Sequence, residues 1–210
     1  ATIPALPNTS SNGITGSWVP AIDNTVTTTY TFTPDPGQCA VQVTMDIEIE
    51  ELPILAITDP DQVCDPATID LTDPLITDGS TAGLTFTYWK DSEATLEVDN
   101  PEAISISGIY YIKGTSDTGC YSIKEVTVTI NDLPNIIITN ATPVCEPGTV
   151  DLTSADIVQG SDDGLIYTYW ADELMTIGIT NPKELAIGGT YYICAENISG
   201  CAVIMPVEVT

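Results

Sequence analysis

The chain has 210 residues, of which 43% are apolar, and its 30 acidic residues face only four lysines, for a net charge of −26. This charge argues against nucleic acid and anionic membranes as partners, because both are bound through Lys and Arg. The chain has no histidine, so catalytic triads with a histidine base and histidine-ligated zinc sites are excluded. No run of 18 apolar residues is present, so we expect no membrane insertion.

The chain repeats itself with a period of 81 residues. Cys120 and Cys201 are 201 − 120 = 81 positions apart, and each ends a closely similar stretch, "SGIYYIKGTSDTGC" and "GGTYYICAENISGC". Residues 53–129 align on 134–210 without a gap, and 33 of the 77 pairs are identical by count. A fixed period without insertions indicates a duplicated structural unit.

The front of the chain is a third, incomplete copy. Tyr30 lies nine residues before Cys39, as Tyr111 lies nine before Cys120. We therefore predict three domains: a partial repeat over 1–52, which lacks its N-terminal part, and complete repeats over 53–133 and 134–210. The chain begins without methionine or an apolar leader, so we expect a segment of a longer protein whose targeting signal lies elsewhere.

The predicted elements are short strands. Alternating apolar and polar residues, rich in Thr, Val, Ile and Tyr, are typical of half-buried strands. In the second repeat, in chain order, they cover 69–71, 84–88, 104–106, 109–114 and 126–130. Asp-Pro, Asn-Pro, Asp-Gly and Ser-Gly pairs separate them, and no helical periodicity exceeds one turn. We predict an all-β fold of tandem immunoglobulin-like antiparallel β-sandwiches. The short junctions "EELP" and "NDLP" favour an extended rod.

Two segments carry a resemblance to a known family. They contain "NPEAISISGIYYIK" in the second repeat and "NGITGSWVPAIDNTVTTTYTFTPDPGQCA" in the first. Both resemble immunoglobulin-like repeats of SprB-type gliding-motility adhesins and related type IX-secreted surface proteins of Bacteroidota. The resemblance implies export across the outer membrane, display on the cell surface as a long filament, and a role in adhesion or gliding motility. The implied partners are neighbouring repeats of the same chain and the outer-membrane secretion and motility machinery, reached through the parent protein.

The carboxylates are the candidate groups for a catalytic or metal site. Few acids recur at equivalent positions, chiefly Asp70 with Asp151 and Asp91 with Asp172. No convergent set of catalytic groups is evident, so we predict a non-catalytic stalk segment without a cofactor. Calcium-stiffened linkers are an alternative, because hard cations take six to eight oxygen ligands. The candidate ligands lie near the first junction: Glu50, Glu51, Asp59 and Asp61.

Trp89 and Trp170 raise a second alternative, a surface that binds glycans. Strand alternation puts Trp89 on the same face as Thr87, away from the core side chains of that strand. An exposed indole there would offer a platform for a sugar ring. The competing interpretation is that each indole covers the rim of the sheet under the loop that follows.

Six cysteines, four of them at repeated positions, indicate an oxidising compartment and hence an extracellular location. We predict disulfides within each repeat, Cys64 with Cys120 and Cys145 with Cys201. The two ends of a sandwich lie far apart, however, so a bridge between repeats, Cys64 with Cys201, stays open. Two cysteines are expected to be unpaired in this segment. Cys39 would find its partner upstream, as the resemblance suggests, and Cys194 would be a buried, inert thiol.

Overall fold

The computed structural model describes residues 4–210, so the first three residues of the predicted partial repeat 1–52 lie outside it. The described residues form eleven β-strands and no helix. Their bounds are β1 Gly16–Val19, β2 Thr28–Pro34, β3 Val43–Ile47, β4 Val63–Cys64, β5 Thr85–Trp89, β6 Gly108–Thr115, β7 Tyr121–Val128, β8 Ile130–Asn131, β9 Ile166–Trp170, β10 Gly189–Glu196 and β11 Ala202–Val209. The prediction of an all-β fold is confirmed.

Contacts divide the chain into two compact units. Among the described residues, the first comprises 4–55, Ser80–Phe86 and Lys113–Ser122, and the second comprises Ala56–Gly79, Thr87–Ile112 and Ile123–Thr210. Each strand of the sheets described below lies within one predicted repeat.

The first unit contains the antiparallel sheet β1-β2-β3. Its central strand buries Tyr30 and Phe32, because these alternate residues point to the same face. The Trp18 ring packs 5.2 Å from that of Phe32, centroid to centroid. Gly16 on β1 lies against the same Phe32 ring, and an added Cβ would stand 2.6 Å from its Cζ atom. Position 16 on this edge strand therefore has room only for glycine.

In the second unit, the third repeat folds around its own core. The antiparallel strands are ordered β11-β10-β9, and Tyr191 on β10 is opposite Val207 on β11. The buried members of the core all come from this repeat: Ile136, Val150, Leu152, Ile157, Ile193, Ala195, Val207 and Val209. Fully burying one valine, leucine or isoleucine side chain stabilises the fold by about 1.5–3 kcal/mol.

The second layer of this sandwich is sparse. Val150 forms an isolated antiparallel bridge with Leu185, and both pack with the buried residues of β10 and β11. The second repeat repeats the arrangement, with strands ordered β5-β6-β7 and a bridge from Ile69 to Ile104. The predicted strands 69–71 and 104–106 are thus reduced to one bridged pair. A three-stranded sheet facing a second layer is the two-layer plan of an immunoglobulin-like sandwich.

A tyrosine hydrogen bond supports the same assignment. Near the start of β6, the Tyr110 hydroxyl donates to the backbone carbonyl of Ile106 at 3.0 Å. In β10, Tyr191 donates to the carbonyl of Ile187 at 2.9 Å. A tyrosine on the penultimate strand that bonds back to the backbone upstream is characteristic of immunoglobulin-like sandwiches. The predicted fold class is therefore confirmed at the level of the single sandwich.

A short parallel ladder positions the first cysteine of the second repeat. Val63 pairs with Ile130 and Cys64 with Asn131, which joins β4 to β8. The Asp65 amide extends the ladder by donating to the Asn131 carbonyl at 2.9 Å. Cys64 is consequently held beside the C-terminal end of its own repeat, where the third repeat begins.

Candidate functional site

The repeated acids Asp91 and Asp172 organise a loop. In the second repeat, the Asp91 carboxylate accepts hydrogen bonds from the Thr95 amide at 3.0 Å and the Leu96 amide at 2.6 Å. In the third repeat, Asp172 accepts from the Thr176 amide at 3.1 Å and the Ile177 amide at 2.7 Å. These bonds satisfy backbone donors that no strand would pair. Both carboxylates are therefore structural.

These hydrogen bonds also shift the acidity of the two carboxyls. Desolvation raises the pKa of Asp91, but the bonds from Thr95 and Leu96 together outweigh it, so the pKa falls below the usual value. The pKa of Asp172 is lowered in the same way, with desolvation opposed by the bonds from Thr176 and Ile177. A general acid at neutral pH needs a raised pKa, so neither carboxyl is suited to donate a proton.

The other repeated acids, Asp70 and Asp151, stabilise turns. The Asp70 Oδ1 atom accepts from the amide and hydroxyl of Thr72 at 2.8 and 2.6 Å. Asp151 makes the same pair of bonds with Thr153 at the same distances. Aspartate often accepts from the residue two positions on in this way. The recurrence of these acids is therefore explained by the backbone they hold.

Each repeated tryptophan bonds to its own strand. The indole Nε1 of Trp89 donates to the Thr87 hydroxyl at 2.9 Å, and that of Trp170 donates to Thr168 at 2.9 Å. This places the indoles on the threonine face, as the alternation predicts. The loop after Trp170 folds back against the ring, since a Cβ added at Gly178 would lie 3.7 Å from Cζ3. Both tryptophans are half-buried.

The acids near the first junction divide into two groups. Asp59 and Asp61 line an open cleft of about 420 Å³ together with Asp70 and Asp73. The Asp59 carboxylate already accepts a hydrogen bond from the Thr127 amide at 2.7 Å. The other two candidates, Glu50 and Glu51, are exposed residues beyond the end of β3. Within residues 4–210, no three Asp, Glu, Cys or His side chains are grouped to hold a metal ion.

The disulfide of this molecule links two repeats. Cys64 is bonded to Cys201, with a Cα–Cα distance of 5.6 Å and a sequence separation of 137. The predicted bridges within each repeat are therefore wrong, and Cys120 and Cys145 are free. The reason is topological: Cys64 lies beside the end of its own repeat, whereas Cys120 lies in the turn before β7. The alternative pairing between repeats is the one that forms.

Hydrogen bonds surround this bridge. The Asn197 side chain donates through Nδ2 to the Asp132 carbonyl at 3.0 Å. Its Oδ1 accepts from the Cys201 amide at 3.0 Å, and Cys201 is fully buried. Sequence reasoning did not assign Asn197 a role at the junction. The available signal was its place four residues before a repeated cysteine, where the second repeat has Ser116.

The remaining cysteines differ in exposure. Cys39 and Cys145 are exposed, whereas Cys120 is half-buried. Cys194 is buried within β10 at 8% exposure, opposite Ile204. It lies on the face of β10 opposite to the core residues Ile193 and Ala195, since successive side chains of a strand point to opposite faces. A buried free thiol packs as a small hydrophobic group.

Comparison with known proteins gives distant structural likenesses. No family model and no curated protein match the chain. Extracellular domains 3–5 of Drosophila OTK align over 90% of this chain and 72% of theirs, at 13% identity and a TM-score of 0.34. The immunoglobulin domains 1–5 of Sidekick-1 align over 90% of this chain, which spans 47% of theirs, at 11% identity and a TM-score of 0.34. A Bacteroides ovatus glucan-utilization protein, SGBP-B, bound to a mixed-linkage heptasaccharide, has 17% identity, with 77% of this chain and 48% of that one covered, and a TM-score of 0.25.

These scores are low, so the immunoglobulin-like assignment rests on the sheets and tyrosine bonds described above. Residues 4–210 also contain no helix with the length and apolar character required to span a bilayer.

Proposed function

We propose that this chain is a non-catalytic stalk segment of a large bacterial cell-surface adhesin, built from immunoglobulin-like repeats. Its place would be extracellular, with attachment to the outer membrane through the parent protein. Secretion by the type IX route and a part in adhesion or gliding motility follow from the sequence resemblance. The resemblance also supports a filament of many such repeats.

One observation carries the proposal: a disulfide joins one repeat to the next. A module that binds a ligand by itself has no need of a covalent bond to its neighbour. A spacer that must keep its repeats in register gains directly from one. The repeated acids support the same conclusion, since each accepts hydrogen bonds from nearby backbone amides: Asp70, Asp91, Asp151 and Asp172.

The acidic surface fits this role. With a net charge of −26, neighbouring stalks repel each other at low ionic strength, which keeps them soluble and apart. The proposed contacts are therefore with adjoining repeats of the same chain and, through the parent protein, with the secretion and motility machinery of the outer membrane.

A glycan-binding surface is the second candidate, and a specific feature favours it. In the loop that follows the half-buried Trp170, Leu174 is 82% exposed and Ile177 is 60% exposed. Exposed apolar side chains in a loop next to a tryptophan could contact the apolar face of a sugar ring. The equivalent loop of the second repeat has Leu96 at 61% exposure.

A glycan array separates the two functions. The full chain and its Trp89→Ala/Trp170→Ala variant would be applied at equal concentration, with circular dichroism to verify folding. The stalk function predicts the same background signal from both proteins. A glycan bound by the parent chain and lost with the tryptophans would favour the binding surface instead.

Calorimetric titration with Ca²⁺ tests the stiffened linker. We expect no saturable heat of Ca²⁺ binding. We also expect no rise in melting temperature beyond that given by NaCl at equal ionic strength. A site of defined stoichiometry, lost in an Asp59→Asn/Asp61→Asn variant, would replace the plain stalk with a calcium-stabilised one.

A further inference from the structure

The bridge between Cys64 and Cys201 connects two cysteine positions that recur along the chain. We call the position of Cys64 and Cys145 the early cysteine, and that of Cys39, Cys120 and Cys201 the late cysteine. The observed bond joins the early cysteine of one repeat to the late cysteine of the next. Cys145 is the early cysteine of the third repeat, and it is free and exposed.

The backbone around Cys145 reproduces that around Cys64. The Val63 amide donates to the Thr129 carbonyl at 3.1 Å, and 81 residues later the Val144 amide donates to Thr210 at 3.1 Å. The Cys64 carbonyl accepts a hydrogen bond from the Ala67 amide at 2.8 Å, and the Cys145 carbonyl accepts one from the Gly148 amide at 2.8 Å. Cys145 is therefore held beside the end of its repeat in the way that Cys64 is.

The turn around the late cysteine is duplicated as well. The Asn197 amide donates to the Cys201 carbonyl at 2.9 Å, and the Ser116 amide donates to Cys120 at 2.8 Å. The glycine before each cysteine has positive φ, 80° at Gly200 and 92° at Gly119. A repeat of this kind therefore presents its late cysteine on a preformed turn.

We propose that Cys145 is a half-site for a second bridge of the same kind, with the late cysteine of an adjoining repeat as its partner. Cys39, an exposed late cysteine, is the complementary half-site toward a preceding repeat. This inference rests on the proposed stalk function, which supplies a repeat of the same type as the partner. Consecutive repeats would then be joined by a series of disulfides, each between cysteines 137 residues apart in sequence.

Formation of each bridge requires a disulfide oxidant, such as glutathione disulfide or a thiol–disulfide oxidoreductase. One cysteine thiolate attacks the oxidant and forms a mixed disulfide, releasing one reduced thiol. The second cysteine thiolate attacks the protein sulfur of that mixed disulfide, and the other oxidant half leaves as a thiolate. In total, two protein thiols become one disulfide, and one oxidant disulfide becomes two thiols.

The test is the full chain extended at Thr210 by a second copy of residues 130–210, which preserves the 81-residue period. In the added copy, Cys145→Ser leaves the original Cys145 as the one early cysteine of that type, and Ile198→Val at a fully exposed position gives the added late-cysteine peptide its own mass. The protein would be refolded with reduced and oxidised glutathione, alkylated, and cleaved without reduction by proteases specific for Glu and Asp. We expect two cross-linked peptides in mass spectrometry: Cys64 with Cys201, and Cys145 with the added copy of Cys201. Cys145 should be fully alkylated in the 210-residue chain and protected in the extended one.

Two variants of the extended chain serve as controls. Cys145→Ser should remove only the second cross-linked peptide, and Cys194→Ser should leave both. An alkylated Cys145, or an added late cysteine bonded elsewhere, would overturn the proposal while Cys64–Cys201 remains as the internal standard. If neither bridge forms, both the proposal and the Cys64–Cys201 bond on which it is based are contradicted. The glycan and calcium experiments involve no cysteine, so they decide the stalk function separately.

Discussion

Cys64 and Cys201 lie 137 positions apart in sequence, yet their Cα atoms are 5.6 Å apart and their sulfurs are bonded. This distance is in the range typical of disulfides. The bond links the folding stability of the second repeat covalently to that of the third. A hydrogen bond within a single sandwich cannot do this.

Removal of this bond should lower stability. The chain-entropy relation gives about 5 kcal/mol for a closed loop of this size, the upper end of what disulfides contribute. We expect a Cys64→Ser/Cys201→Ser variant to unfold at a clearly lower guanidinium concentration, measured by tryptophan fluorescence without reductant. Cys145→Ser is the matched control and should unfold with the parent. Coincident curves for all three proteins would show that the bond contributes nothing.

Acid should weaken the loops capped by Asp91 and Asp172. Their folded-state pKa values are lowered, so this contribution is complete above the unfolded value of about 3.9 and is lost as the pH falls through the folded pKa. The difference in melting temperature between the parent chain and Asp91→Asn/Asp172→Asn should therefore shrink from pH 6 to pH 2. Comparing the two proteins cancels the relief of charge repulsion that acid brings to both. A constant difference over this range would contradict the prediction.

The hydroxyl of Tyr191 should contribute to the third repeat through its 2.9 Å bond to the Ile187 carbonyl. A Tyr191→Phe substitution keeps the ring and removes one hydrogen bond, so we expect a loss of about 0.5–1.5 kcal/mol in urea unfolding. Tyr192→Phe is the control on the same strand, because its hydroxyl has no hydrogen-bond partner among residues 4–210. Equal effects of the two substitutions would mean that the bond is not stabilising.

Gly16 should tolerate no side chain. An added Cβ would clash with the carbonyl oxygen of Thr33 and would lie 2.6 Å from the Phe32 Cζ atom. Overpacking of this kind costs about 1–3 kcal/mol, so Gly16→Ala should lower the melting temperature and quench or shift the Trp18 fluorescence. At Gly108 the nearest atom to such a Cβ is 3.8 Å away, in the Tyr110 ring. Gly108→Ala should therefore be close to neutral, and a comparable loss there would refute the packing argument.

Much of the fold follows from local sequence. The predicted runs 84–88 and 109–114 correspond to β5 and β6, because alternation of apolar and polar residues reports the two faces of a strand. The predicted strands 69–71 and 104–106 share the same pattern but form only one bridged pair. Whether a short alternating run finds a partner of its own length depends on tertiary packing, which alternation does not record.

The candidate site was less predictable. The 81-residue period identified Cys64, Cys120, Cys145 and Cys201 as structural cysteines, but periodicity is the same whether each bonds within its repeat or to the next. The choice depends on which end of the sandwich each cysteine occupies, and that is set by the parallel pairing of β4 with β8. Likewise, the repetition of Asp91 was visible, whereas its amide partners Thr95 and Leu96 emerge only from the folded loop.

The Cys64–Cys201 bond also determines how the molecule would carry a pulling load. Tension applied to the two ends of the chain reaches Cys64, crosses the sulfurs and leaves from Cys201, so the intervening segment bears none of it. Even if every strand between these residues were to unravel, about 450 Å of slack polypeptide would stay locked in the loop. Residues 64–201, strapped in this way, would not lengthen under tension, and a reducing environment would be the condition that lets them stretch.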